Sequence, residues 1–415
     1  MELNRVVVSG MGALTPIGNS LSEYWSGLQL GKSGAAPISN FDTEYFKTTF
    51  ACELKNLHLS DYFDRKELRK MDPYTAYALI ATEEAIKHSG LNLETLNKEY
   101  AGVIWGSGIG GIKTFSDEVE YFVKNKKIPR FNPFFIPKMI ADIAAGMISI
   151  KYGFQGPNFA TVSACASSSH AIIDAFNYIR LGKANIFICG GSEASVHPAS
   201  VGGFNALKAL STKNGSPETA SRPFDVDRDG FVLGEGAGAL ILENYEHAKK
   251  RKAKIYAEIV GGGMSADAHH LTAPHPEGRG ATNVMRAALE DGKLECGAID
   301  YINVHGTSTP LGDVSEMKAI SEVFKEHIYN INISSTKSMT GHLLGAAGAI
   351  ESIACILALE KNCIPPTINL ENLDPVLDKK VNYTPNASQN RNINFALCNT
   401  FGFGGHNASI VFKKL

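Results

Sequence analysis

Two kinds of apolar pattern alternate along the chain. Short runs that are apolar on successive positions, such as Val103-Ile104-Trp105 and Tyr301-Ile302-Asn303-Val304, predict strands covered on both faces. Longer stretches with apolar residues every three or four positions predict helices. These are Thr75–Leu91, Ala281–Leu294 and a helix from about Ala166, in which Ile172, Phe176 and Ile179 share a face. Strands of this kind alternating with helices predict an α/β fold on parallel sheets.

The order of elements repeats. A helix ending Ala85-Ile86-Lys87-His88-Ser89-Gly90-Leu91 leads into the strand Gly102–Ser107, and one ending Ala288-Leu289-Glu290-Asp291-Gly292-Lys293-Leu294 leads into Tyr301–Thr307. Next comes a strand that turns sharply into a helix: Phe159–Cys165 in one half, Asn332–Thr336 with a helix starting near His342 in the other. A buried strand and a glycine turn close each half, at Ile186–Gly191 and Asn394–Gly405. The chain thus divides into two pseudo-symmetric halves, 1–250 and 251–415, with the basic run Lys249-Lys250-Arg251-Lys252 at the boundary.

Composition narrows the class. The 415 residues carry 44% hydrophobic and 20% charged residues, as a soluble globular protein does. A net charge of −2 offers no global attraction for nucleic acid. The stretch His342–Leu359 is apolar but carries Glu351, which makes it a buried helix rather than a membrane span, and the first residues lack a signal-peptide pattern. A cytoplasmic protein is expected. Seven cysteines without a C-x-x-C pair fit neither a disulfide framework nor a zinc site, so no metal is expected from them.

Four motifs carry chemistry. In Val162-Ser163-Ala164-Cys165-Ala166-Ser167-Ser168-Ser169-His170, a cysteine stands at the start of a helix, where unpaired N–H groups and the helix dipole favour thiolate. Small neighbours leave room for a substrate. In Val304-His305-Gly306-Thr307-Ser308-Thr309, a histidine follows a strand, at the sheet edge where ligands gather in α/β folds. In Lys337-Ser338-Met339-Thr340-Gly341-His342, a second histidine precedes a helix of tiny residues, and Glu351 is the carboxylate available if Lys337 is buried. In Asn399-Thr400-Phe401-Gly402-Phe403-Gly404-Gly405-His406, glycines on both sides of Phe403 let a main-chain N–H face a ligand.

These four motifs in this order resemble the β-ketoacyl-[acyl carrier protein] synthases of type II fatty acid synthesis, the elongating synthase II enzymes in particular. The likeness runs from Arg5-Val6-Val7-Val8 to Val411-Phe412-Lys413-Lys414 and includes Arg222-Pro223-Phe224-Asp225. It implies the thiolase-type fold, five-layered α-β-α-β-α, a homodimer, and an acyl carrier protein as partner. It implies that Cys165 carries the acyl chain, that the N–H groups of Cys165 and Phe403 hold the oxyanion, and that His305 and His342 assist loss of CO₂ from a malonyl thioester. Lys337 with Glu351 would orient His342. Thr307 and Thr309 match positions that touch the pantetheine arm, Phe401 lies at the substrate, and Ile109 borders the far part of an acyl tunnel. No cofactor is implied beyond the carrier's phosphopantetheine, although a monovalent cation near Asn303 and Glu351 is an analogy within the family. The basic residues Lys66, Arg69 and Lys70, then Lys127 and Arg130, then Lys208, are candidates for docking an acidic carrier.

Related functions differ at identifiable residues. A thiolase needs a second cysteine near the C-terminus in a C-x-G setting, which Cys398 does not have. The initiating synthase has Asn where this chain has His342, and a chain-length factor lacks the nucleophile. A polyene or polyketide ketosynthase would keep all the catalytic residues. His406 departs from the Thr common in the family.

Overall fold

The computed structural model describes residues 3–415. Ten strands form one sheet: β1 Val6–Leu14, β2 Ala101–Gly106, β3 Asn158–Thr161, β4 Ile186–Glu193, β5 Gly236–Asn244, β6 Ala257–Ala266, β7 Tyr301–Asn303, β8 Asn332–Ser334, β9 Phe395–Gly402 and β10 His406–Lys413. Their order across the sheet is β8-β7-β9-β10-β6-β1-β5-β4-β2-β3. Read outward from the middle, the first half runs 1-5-4-2-3 and the second runs 6-10-9-7-8. The internal repeat is therefore a repeat of topology. The halves join along β1 and β6, paired antiparallel from Val6↔Ile259 to Val8↔Ala257.

The sheet is mixed, not parallel as the apolar runs suggested. β2 pairs parallel with β3 and β4, and β7 with β8 and β9. β1, β5, β6 and β10 pair antiparallel. The hairpin from Gly402 to His406 is too short for a crossover, so β9 and β10 must run antiparallel. What makes these strands apolar is cover on both faces, whatever their direction.

That cover comes from three helix layers. The helices that matter are α1 Pro73–Ser89, α2 Ile112–Lys124, α3 Ser167–Arg180, α4 Arg279–Asp291, α5 Pro310–Phe324 and α6 Ala347–Lys361. α1 packs on β1 and β5, and α4 on β6 and β10. α3 and α6 touch strands of both halves and each other, and so form the central layer of an α-β-α-β-α stack. Every residue from Ala347 to Leu359 is buried. The two central helices approach so closely that a Cβ on Gly348 would lie 2.0 Å from Ser169 Oγ. Among the described residues, no helix is long and apolar enough to cross a membrane.

Local signals explain the element ends. Asp72 caps α1 by accepting from Tyr74 N–H, Pro73 takes the first position, and Gly90 closes the helix with φ 61°. The helix expected from about Ala166 starts at Ser167, whereas the one expected near His342 starts only at Ala347. A 3₁₀ turn, Ala164–Ala166, precedes α3, and another, Leu344–Ala346, precedes α6, five residues beyond His342. Ala164 and Leu344, the first residue of each turn, have φ 50° and 46°, a left-handed backbone that periodicity does not reveal.

Candidate active site

Cys165 is the middle residue of the turn between β3 and α3. A net of hydroxyl groups fixes that turn. Thr161 Oγ1 donates to Ser167 O at 2.7 Å, Ser163 N–H donates to Ser167 Oγ at 2.9 Å, and Ser167 Oγ donates to Ala164 O at 2.7 Å. Ser163 Oγ also lies 2.6 Å from His170 Nδ1. The small residues around the cysteine therefore do more than leave space: they build the turn.

His305 follows β7. Its N–H and that of Gly306 donate to the two oxygens of Glu316 on α5, at 2.9 and 2.8 Å. His342 is held by main-chain bonds to the strand-like segment Val232–Gly234: its N–H donates to Val232 O at 2.7 Å and its carbonyl accepts from Gly234 N–H at 2.9 Å. Phe231 packs edge-on against its ring. His342 Nε2 lies 3.0 Å from Cys165 Sγ. The His305 and His342 rings meet at 83° with centroids 5.2 Å apart. Cys165 Sγ and one ring nitrogen from each histidine lie within 4.8 Å of one another.

Burial sets the protonation states. It pushes the Cys165 thiol up to about 12, against the Lys337 charge and the N–H groups of Phe403 and Cys165, which pull it down. The resting group is thus a thiol. Burial thus opposes the thiolate that the start of a helix favours: the cysteine stands in the 3₁₀ turn that leads into α3 and is nine-tenths buried. Burial first, then the Lys337 charge, hold both histidines well below the usual imidazole range, so both are neutral. Lys337 is buried and ion-paired with Glu351. It makes no hydrogen bond to either imidazole and acts on them through its charge. Burial raises the Glu351 carboxyl to about 7, with Lys337 opposing.

Phe403, Gly404 and Gly405 form the β9–β10 turn, with φ 86° and 75° at the two glycines. Gly404 N–H donates to Leu271 O at 2.7 Å and Asp267 N–H to Gly405 O at 2.9 Å, so the segment around Leu271 latches this loop. The exposed His406 ring lies over Gly404.

A cavity of about 520 Å³ opens over these groups. Its apolar walls include Ile109, Phe204, Phe231, Leu344, Phe401 and Phe403. Thr307 and Thr309 also line it, with their hydroxyls 3.0 Å apart, and so does Lys208. Ile109 is about two-fifths exposed (38%) and looks into the cavity rather than filling the core. The remaining basic candidates lie on the surface: Lys66, Arg69 and Lys70 on and after the short helix Arg65–Leu68, Lys127 and Arg130 after α2. Lys70 Nζ stands 6.0 Å from the Phe134 ring, which brings the two segments together. Asn303 Oδ1 is fully buried without a protein partner. Cys398 is buried in β9 and does not line the cavity, so no second thiol meets the substrate space.

Sequence reasoning passed over three positioning groups: Glu316 behind His305, His170 behind Ser163, and Glu193, which accepts from the N–H groups of Gly108, Ile109 and Gly345. An acid such as Glu316 on an amphipathic helix reads as solvent-facing. Only the fold shows it capping a loop.

The family models described as beta-ketoacyl synthase, N-terminal domain, and beta-ketoacyl synthase, C-terminal domain, match residues 3–248 and 256–371. A 3-oxoacyl-[acyl-carrier-protein] synthase 2 from Synechocystis sp. is 49% identical over 414 residues, covering 100% of this chain and 99% of that one. A beta-ketoacyl synthase from Burkholderia phymatum superposes with a TM-score of 0.92 at 35% identity, over 99% of this chain and 100% of that one. A ketosynthase structure with a type II polyketide acyl-carrier protein superposes at 0.90 and 33% identity, over 100% of both chains. A cysteine and two neutral histidines at the floor of an apolar cavity, on a doubled five-layer fold with these relatives, make the chain a member of the beta-ketoacyl synthase family, condensing enzymes of the thiolase-type fold.

Proposed function

We propose that the chain is an elongating 3-oxoacyl-[acyl-carrier-protein] synthase of fatty acid biosynthesis that joins an acyl chain on Cys165 to malonyl carrier protein with loss of CO₂. The convergence of Cys165 Sγ and the two histidines within 4.8 Å beneath an apolar cavity carries this reading.

Acylation begins with a thiol. His342 Nε2, 3.0 Å away, takes its proton as sulfur attacks the thioester carbonyl. The N–H groups of Cys165 and Phe403 hold the oxyanion, and each such donor is worth about 3–4 kcal/mol. Collapse releases the carrier thiol, which regains the proton, and both imidazoles are neutral again.

Malonyl carrier protein then enters with Thr307 and Thr309 along its pantetheine arm and Phe401 beside His305. The C–CO₂⁻ bond breaks and its electron pair forms an enolate. His305 and His342 each donate one hydrogen bond to the enolate oxygen. Neither Nδ1 has a protein partner, so neither ring is locked in one tautomer: His342 accepts at Nε2 during acylation, and its one proton must move to Nε2 before it donates here. A neutral donor stabilises the enolate without quenching it by proton transfer. The enolate carbon attacks the acyl-cysteine carbonyl and the Cys165 thiolate departs, taking a proton from solvent. Burial, and after it the Lys337 charge, favour the uncharged imidazoles that this step needs.

The carrier docks at the basic residues Lys66, Arg69, Lys70, Lys127 and Arg130, with Lys208 beside the cavity. A second copy of the chain covers the exposed apolar side chains Phe115, Val119, Val123, Phe131 and Ile136 and the outer edge of β3, the last strand of the sheet. The orphan Asn303 Oδ1 suits a monovalent cation held with Glu351. Free thiols throughout and a soluble carrier as partner suit the cytoplasm. An elongation assay with malonyl carrier protein and primers of graded length, read by mass spectrometry, tests the reading. Products two carbons longer than the primer support it, and their absence at every length refutes it. Processive multi-step products from one primer would favour the polyketide reading instead.

A further inference from the structure

Cys165 has a counterpart in the second half. The turn Leu344–Ala346 starts α6 as Ala164–Ala166 starts α3, and it puts Gly345 where the first half has the nucleophile. The strands that approach the two turns also correspond. β9 ends at Gly402, where a Cβ would lie 3.1 Å from Cys165 N. β4 ends at Glu193, whose Oε2 accepts from Gly345 N–H at 3.0 Å. The second half thus keeps the anion-binding turn of the first, and a carboxylate of the protein itself fills it.

The same carboxylate reaches the cavity wall. Oε2 also accepts from Gly108 N–H at 2.7 Å. Oε1 accepts from Ile109 N–H at 3.2 Å and, at the limit of hydrogen-bond length, from the Ser107 hydroxyl at 3.4 Å. Three main-chain N–H groups converging on one group form a cradle for an anion. The fit is close on every side. A Cβ on Gly345 would lie 2.2 Å from Gly108 N, and one on Gly108 would lie 2.8 Å from Glu193 Oε2. Glu193 is fully buried behind the wall, while Ile109 faces the cavity. Its pull on Gly108 and Ile109 is therefore directed away from the substrate space.

We propose that Glu193 is a specificity-determining positioning residue, an internal carboxylate that fills the counterpart of the oxyanion site and holds the Gly108–Ile109 wall back against Gly345, so setting the length of acyl chain the cavity accepts. This rests on the cavity being the acyl site. Glu193 touches no reacting atom and is not a catalytic residue. A glutamine has the same shape but only one acceptor oxygen. Its amide N–H₂ must face either the Gly108 and Gly345 N–H groups or the Ile109 N–H. Donor against donor drives the wall toward the cavity, and long chains lose room first.

The test compares kcat/KM for C4 and C12 acyl primers on the full-length enzyme, with melting temperatures alongside. Glu193→Gln should lower the C12-to-C4 ratio by about tenfold or more. Adding Ile109→Ala, which removes the side chain pushed inward, should restore the ratio to within about threefold of the wild type. A purely structural role would not give that rescue. If Glu193→Gln does not fold, Gly345→Ala breaks the same clamp from the other side and should lower the same ratio. Equal losses at both lengths, an unchanged ratio, or a ratio that Ile109→Ala fails to restore would overturn the proposal. A wild-type enzyme that elongates neither primer would instead overturn the functional reading beneath it.

Discussion

Replacing each catalytic histidine by alanine should separate the two half-reactions, because only one of them stands against the nucleophile. His342 Nε2 is 3.0 Å from Cys165 Sγ, whereas His305, with a ring nitrogen within 4.8 Å of the same sulfur, makes no hydrogen bond to it. With the thiol pushed up to about 12, ionising it unaided at pH 7 costs about 7 kcal/mol, at about 1.4 kcal/mol per unit. A neutral imidazole at 3.0 Å can take the proton as the C–S bond forms, so that no free thiolate has to be made first, and such general base catalysis contributes about 10²–10⁴-fold. His342→Ala should therefore slow acylation of Cys165 by about 10²-fold or more. His305→Ala leaves this acceptor in place and should slow acylation by less than about tenfold. Decarboxylation needs both donors, so each variant should lose about 10²–10³-fold in that step, the usual cost of one oxyanion donor. Stopped-time intact-mass spectrometry gives the acylation rate, and CO₂ release from malonyl carrier protein gives the second step. Equal acylation rates in the two variants would refute the role of His342 as proton acceptor and imply a pre-formed thiolate.

Three further outcomes follow from the same geometry. Ile109→Phe should spare short primers and refuse long ones, each methylene denied burial costing about 0.8 kcal/mol, or about fourfold in kcat/KM, with little change in melting temperature because Ile109 faces the cavity; a uniform loss with a lowered melting temperature would make it a packing residue. Reversing Lys66 and Arg69 to Glu should raise KM for carrier-bound substrates but not for a small pantetheine thioester, and added salt should mimic the change, since exposed charges are screened within about 8 Å at physiological ionic strength; equal effects on both substrates would remove docking from these residues. Burial raises the carboxyls of Glu193, Glu316 and Glu351 to about 7 and that of Glu235 to about 8, above their unfolded value. The stability they contribute is complete below the unfolded carboxyl value of about 4.3, falls by about 1.4 kcal/mol per unit for each group between there and its folded value, and is gone above about pH 8. Melting temperature should thus fall from about pH 5 to about pH 8 and level off above, and Glu235→Gln should flatten that fall; a slope unchanged in the variant would contradict it.

Sequence patterns pointed to the residues that the fold gathers beneath the cavity because each stands where periodicity breaks. Cys165, His305 and Phe403 all follow apolar strands and precede small or glycine residues, and this break is visible without coordinates. The doubling was legible for the same reason, since β2 and β7, or β3 and β8, stand in equivalent places relative to their helices. Strand direction was not legible, because apolar runs report burial and not polarity. Nor was the helix start at Ala347, which follows a left-handed residue at Leu344. At Cys165 the local rule about helix ends favours thiolate, while tertiary burial, which no local pattern reports, opposes it. Glu193 and Glu316 were missed because each is defined by loops far away in sequence, at Gly108 and Gly345 or at His305.

The central claim is that Cys165 carries the growing chain and that a malonyl unit removes it. The most direct measurement is a two-step mass experiment. The enzyme is incubated with an acyl carrier protein thioester, the modified peptide is mapped, and malonyl carrier protein is then added. The account predicts one acyl group on the peptide containing Cys165, none on the Cys165→Ala variant, and discharge by malonyl carrier protein to a β-ketoacyl product two carbons longer, with CO₂. An acyl group on any other residue, or an acyl-Cys165 that malonyl carrier protein fails to discharge, would contradict it.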